Sequence, residues 1–189
     1  MRNFNYVSFR TGVSVGTTKT NSVAHIERPD NTTTYAAGDV IGEVTTNDHY
    51  AFTLSGLTEA SQTIGSGVID SARMMINSNK TAGTLPDIEL WLFDTDVTEV
   101  ADNSAFAPTD AEILTLVGII DFASTSWKVG LSGADASGNI VQQVDNLGIV
   151  YKAVGQNQNA VLYGQLVLRN AYTPIASEEF HTELVLSLD

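Results

Sequence analysis

Pro86-Asp87-Ile88-Glu89-Leu90-Trp91-Leu92-Phe93-Asp94 opens the segment that decides the fold. An acidic, polar stretch follows. Then come Thr109-Asp110-Ala111-Glu112-Ile113-Leu114-Thr115-Leu116 and Val117-Gly118-Ile119-Ile120. The order is strand, long excursion, short helix, second apolar strand. Thr109 and Glu112 have the Thr-x-x-Glu spacing of a capping box, in which each side chain satisfies the other's free backbone N–H. Pro108 keeps the helix from extending backwards. Gly118 and β-branched Ile119 and Ile120 return the chain to extended structure, so the helix is about two turns long. Trp91, with apolar neighbours on both sides, is the expected centre of the core.

The same rhythm runs outward from this segment. Val23, His25 and Glu27 alternate with Ala24, Ile26 and Arg28, and Pro29-Asp30-Asn31 turns the chain. Tyr35 to Gly42 enters the next strand, with Gly38-Asp39 as its corner. Tyr50, Phe52 and Leu54 alternate with Ala51, Thr53 and Ser55. Gly65 and Gly67 suggest a bulge ahead of the strand that reaches Ile76. Further strands are expected at 126–131, 140–141, 149–154, 161–169 and 183–188. The nearly unbroken apolar run at 160–168 implies burial on both faces. Many short strands with turns every ~8–12 residues give an all-β fold. It is read as an antiparallel β-sandwich, jelly-roll-like, with one short helix in a long loop. Residues 1–21 lack an apolar period and form an extended arm or marginal first strand, either frayed or draped over a neighbouring subunit. Residues 22–189 form a single β-sandwich domain.

Composition narrows the function. The chain has 189 residues, with 9 basic and 22 acidic side chains and a net charge of −13. Phosphate binding requires the opposite balance, so direct nucleic-acid contact is not expected. An anionic membrane surface is disfavoured for the same reason. Charged residues make up only 16%, below the ~25% of an ordinary soluble domain, which suits a chain that buries surface against a partner. There is no cysteine, hence neither a disulfide framework nor thiolate chemistry. The start of the chain carries no signal-like apolar stretch, and no run approaches the ~18 apolar residues of a membrane helix.

Four sets of residues could carry chemistry. His25, His49 and His181 lie on separate strand-like segments without metal-ligand spacing, so they read as isolated strand histidines. Ser66 and Ser132 lack the Gly-x-Ser-x-Gly elbow of a serine hydrolase. Asp94, Asp96, Glu99 and Asp102 offer the oxygens that calcium prefers. A calcium loop starting at Asp94 would need Gly at its sixth position and Glu at its twelfth, where this chain has Glu99 and Ala105. The acids therefore read as a solvated loop. Trp91, Trp127, Tyr50, Tyr151, Tyr163 and Tyr172 could build a sugar-stacking platform, but their apolar surroundings favour core packing. No catalytic, cofactor-binding or metal residue is assigned, and the chain reads as a non-enzyme.

Several segments together resemble a family of small virion proteins of tailed bacteriophages, assigned as capsid decoration (cement) proteins. The similar stretches are Arg28-Pro29-Asp30, Thr34 to Gly42, Asp87 to Asp94, Ala101 to Glu112, and Leu162 to Pro174. The resemblance implies a β-sandwich assembled as a homo-oligomer, a trimer or other small oligomer, on the outside of a capsid. Its partners would be the major capsid protein and copies of itself. The protein would be made in the host cytoplasm and end on the virion exterior. The family brings no catalytic motif to carry over. The alternative is a tail- or fibre-associated module that recognises surface glycans.

Overall fold

The computed structural model describes residues 23–43, 49–55, 64–77, 85–129, 139–156 and 159–188. The expected N-terminal arm, residues 1–21, lies outside them. Among the described residues, ten strands and one helix follow in chain order. They are β1 Val23–Glu27, β2 Val40–Ile41, β3 Tyr50–Ser55, β4 Ile64–Asn77, β5 Ile88–Phe93, α1 Asp110–Ile113, β6 Leu116–Phe122, β7 Lys128–Val129, β8 Ile140–Gln156, β9 Asn159–Leu168 and β10 Glu179–Leu188.

Two antiparallel sheets of four and five strands pack as a sandwich. The five-stranded sheet runs β7-β8-β4-β10-β1. The four-stranded sheet runs β3-β9-β5-β6, with β2 continuing the β3 side of β9. The end of β8 pairs with the start of β9, Gly155 opposite Ala160, and so carries the chain from one sheet to the other. The expected jelly-roll wiring is not confirmed by these strand orders.

Strand alternation builds the core between the sheets. Leu90, Leu92, Leu162 and Leu166 from one sheet meet Ile69, Met74, Ile76 and Phe180 from the other. Tyr50 ties the sheets with a polar contact. Its hydroxyl donates to Phe180 O at 2.9 Å and accepts from Thr182 Oγ1 at 3.1 Å. Burial pushes the Tyr50 phenol pKa upward. Trp127 is buried against Phe122 and donates Nε1–H to Pro86 O at 2.8 Å. Gly164 sits where a Cβ would lie 2.9 Å from both Leu90 Cδ1 and Phe52 Cε2, so only hydrogen fits.

Three expectations need correction. The strands expected at 140–141 and 149–154 are one long strand, β8. Between them Gln142 is buried and Val144 packs on the core, so alternation persists behind polar residues. Gly65 and Gly67 pair in regular register, and the bulge lies at Asp70 instead. There β8 places Asn146, Leu147 and Gly148 opposite one residue, and Asn146 and Gly148 supply the positive φ. Trp91 is not the core centre. Core-facing Leu90 and Leu92 flank it, so its ring points to the outer face and is half-buried. It packs edge-on against Phe106, and its Nε1–H donates to Glu89.

Candidate functional site

The excursion between β5 and β6 crosses the outer face of the four-stranded sheet. It leaves β5 at Phe93 and reaches the far side of β2, where Val40 N donates to Ser104 O at 2.9 Å and Asn103 N donates to Val40 O at 3.0 Å. It then returns by way of Phe106 to α1 and β6. Val40, Phe93, Val97 and Val167 are buried, yet they stand apart from the cluster between the sheets. Phe93 and Val167 face outward by strand parity, so with Val97 of the excursion they make a second, smaller core on that face. Gln165 lies on the same face by strand parity and is fully buried, with neither amide atom hydrogen-bonded.

Two anchors hold the excursion. The first is the capping box of α1, which forms as expected, although the helix is only one turn long. Glu112 also reaches beyond the box. Its Oε2 accepts from Thr109 N at 2.7 Å, and its Oε1 accepts from Thr98 N at 2.7 Å. These donors, Thr109 first, pull the Glu112 carboxyl down to about 2.

The second anchor is a buried polar network. Arg28 is fully buried at the end of β1. Its guanidinium reaches Asp102 Oδ2 at 3.5 Å and Ile175 O at 3.3 Å, and its Nε donates to the Tyr35 hydroxyl. Tyr35 donates in turn to Asp102 Oδ1, which also accepts from Gly42 N at 3.0 Å. Tyr172 donates to the buried Glu178 carboxylate at 2.8–2.9 Å. Tyr35 and Tyr172 have raised pKa values. Burial is the main cause for both, followed by the Asp102 hydrogen bond at Tyr35 and the Glu178 charge at Tyr172. A Cβ at Gly42 would sit 3.0 Å from Asp102 N, so the loop backbone presses against this position.

The four acids of the excursion do not converge. Asp94 accepts from the Thr95 hydroxyl, Asp96 faces His49 Nε2 at 3.1 Å, and Asp102 belongs to the Arg28 network. The aromatic platform does not form either. Trp127, Tyr50, Tyr151 and Tyr172 are buried, while Trp91 and Tyr163 are partly covered. Ser66 is in regular β register opposite Lys152, and Ser132 lies outside the described residues.

Two of the three histidines are not isolated. His25 and His181 face one another across β1 and β10, with ring centroids 4.5 Å apart. Glu179 lies beside both. Among the described residues, these three are the one group of three or more metal-ligand side chains close enough to share an ion. The sequence did hold a signal for it. His25-Ile26-Glu27 and Glu179-Phe180-His181 are mirror images, and antiparallel pairing sets histidine opposite histidine. His49 stands elsewhere, against Tyr163 and Asp96.

The chain matches no protein-family model and no curated protein sequence. The stretches 28–30, 34–42, 87–94, 101–112 and 162–174 are placed by the fold. Four of them meet in space, because Arg28, Tyr35, Asp102 and Tyr172 each come from a different one. They build the frame that fixes the loops around Asp102. α1, its C-cap Leu114 and β6 carry exposed apolar side chains, Leu114 at 87%, Ile113 at 40% and Ile119 at 38%. Among the described residues, no strand pairs with the outer edge of β6.

Proposed function

We propose that this protein is a structural component of a tailed-phage particle, a decoration protein that binds the outer capsid surface and stabilises the shell. The observation that carries this reading is the convergence of the similar stretches on one buried frame. Residues as far apart in sequence as Arg28, Asp102 and Tyr172 serve to hold loops rigid. Rigid loops suit a module that acts by contact, since pre-organisation lowers the entropy cost of binding. The protein acts without a cofactor or a reaction of its own. Its partners are the major capsid protein and copies of itself, in a trimer. Its acidic charge disfavours contact with packaged DNA.

The shell contact is assigned to α1 and the free edge of β6. An unpaired strand edge offers backbone donors and acceptors to a partner, and Leu114 offers an apolar anchor beside it. Binding to the assembled shell stabilises it by mass action.

The test uses purified heads assembled without this protein. Added protein should saturate their outer surface and raise the temperature of shell disruption. Leu114→Asp should weaken binding at least tenfold while the free protein remains folded. Absence of binding to heads, with the protein located on tails in labelled virions, would refute the reading.

A further inference from the structure

The outer face of the β1–β10 ladder carries two histidines and a glutamate side by side. His25 and His181 are directly opposed. Such pairs hold their Cβ atoms about 4.5–5.5 Å apart, which lets two imidazoles converge on one ion. Glu179 lies two residues before His181, on the same face, and diagonal to His25. Its Oε2 is 3.1 Å from His181 Nε2 and 4.0 Å from His25 Nε2. The three ligand atoms all lie within 4.8 Å of one another. Ligands on a tetrahedral zinc, with bonds of about 2.0–2.2 Å, sit about 3.3–3.6 Å apart. The ladder already fixes the backbone positions, so closing the remaining gap needs only side-chain rotation.

The charges around the cluster also favour a cation. Glu27 stands directly opposite Glu179, and like charges in that relation are destabilising. The nearest cationic side chain on the neighbouring strand, Arg73, is held by Glu183. The same Glu179 oxygen also receives Asn77 Nδ2 at 3.3 Å, so one carboxylate atom serves three neighbours.

We propose that His25, His181 and Glu179 bind one divalent transition-metal ion of the zinc class, which staples edge strand β1 to β10. Two imidazoles and a carboxylate suit zinc, nickel or copper rather than calcium or magnesium. Three protein ligands leave a coordination position open to solvent. Among the described residues β1 pairs with β10 alone, so a bond across this ladder constrains the strand most easily lost. The site is independent of the capsid reading, since it concerns a different face of the molecule.

The experiment is zinc titration of the full, chelator-stripped chain by calorimetry, paired with hydrogen exchange at residues 23–27. One ion per chain should bind, and zinc should slow exchange in β1. His25→Gln and His181→Gln should each weaken binding at least tenfold and abolish the slowing. Glu179→Gln, which keeps the side-chain shape, should weaken binding as well and provides a variant that leaves both histidines in place. Equal zinc affinity in wild type and in the His25→Gln/His181→Gln double variant would overturn the site. Zinc uptake at these residues without slower exchange in β1 would overturn the staple.

Discussion

The two outer faces of the sandwich differ sharply. On the four-stranded sheet, Val40, Phe93, Val97 and Val167 are buried, and even Gln165 is shut away from water. On the five-stranded sheet, Val150 is 70% exposed, and His25, Arg73 and Val185 reach solvent. Both faces come from strands with the same period-two pattern. The difference is the excursion between β5 and β6, which lies across one sheet and not the other. One side of the molecule is therefore a double-layered, fixed frame. The other is a single layer whose outward side chains remain available to ligands.

Removing the anchor of the covered face should have the largest effect. Arg28→Met keeps much of the side-chain volume but leaves Asp102 in a nearly closed site without its cation. Breaking a buried ion pair from one side costs about 3–5 kcal/mol. Chemical denaturation should report a loss of that size, together with faster proteolysis of residues 94–109. Arg28→Lys should recover only part of it, because an ammonium cannot span Tyr35, Asp102 and Ile175 O together. A loss under 1 kcal/mol for Arg28→Met would mean that the excursion is held by its apolar contacts alone.

The contrast itself can be tested with one substitution made on both sides. Val→Thr preserves shape and β-branching but adds a hydroxyl. At Val97, buried on the inner side of the excursion, the hydroxyl should cost about 1–3 kcal/mol, the range for burying a polar group without a partner. At Val150 it faces water and should change stability by less than about 0.5 kcal/mol. Equal effects at the two positions would show that the covered face is wet.

The reach of the sequence follows from the range of each interaction. The β rhythm, the long excursion and the Thr109–Glu112 box are local patterns, and each appears where the residues place it. The turn at Gly38, with φ at 94°, was legible because few residues other than glycine adopt it readily. Trp91 was misplaced because Leu90, Leu92 and Phe93 are all apolar. With a second core on the outer face, polarity no longer marks which parity points inward. Arg28 reads as an ordinary charged strand end, since its partner Asp102 lies far along the chain and on the excursion. The histidine pair depends on the β1–β10 register, which spans nearly the whole chain. Only the mirrored His-x-Glu and Glu-x-His hint at it.

A more modest effect than that of Arg28 lies at the other anchor and carries a definite pH signature. Glu112 has a folded pKa of about 2, against an ordinary 4.5. A depressed carboxyl stabilises the fold above its unfolded pKa, and that contribution fades as pH falls from 4.5 toward 2. The group is largely exposed, so solvent screening reduces its worth to about 1 kcal/mol. Glu112→Gln keeps the acceptor that faces Thr98 or Thr109 but removes the charge. At pH 7 the variant should be less stable by about that amount. At pH 3 the gap should narrow, because the wild-type carboxylate is then losing its advantage over the unfolded chain. Denaturant melts at the two pH values provide the check. An unchanged gap would assign the anchor to hydrogen-bond geometry rather than charge.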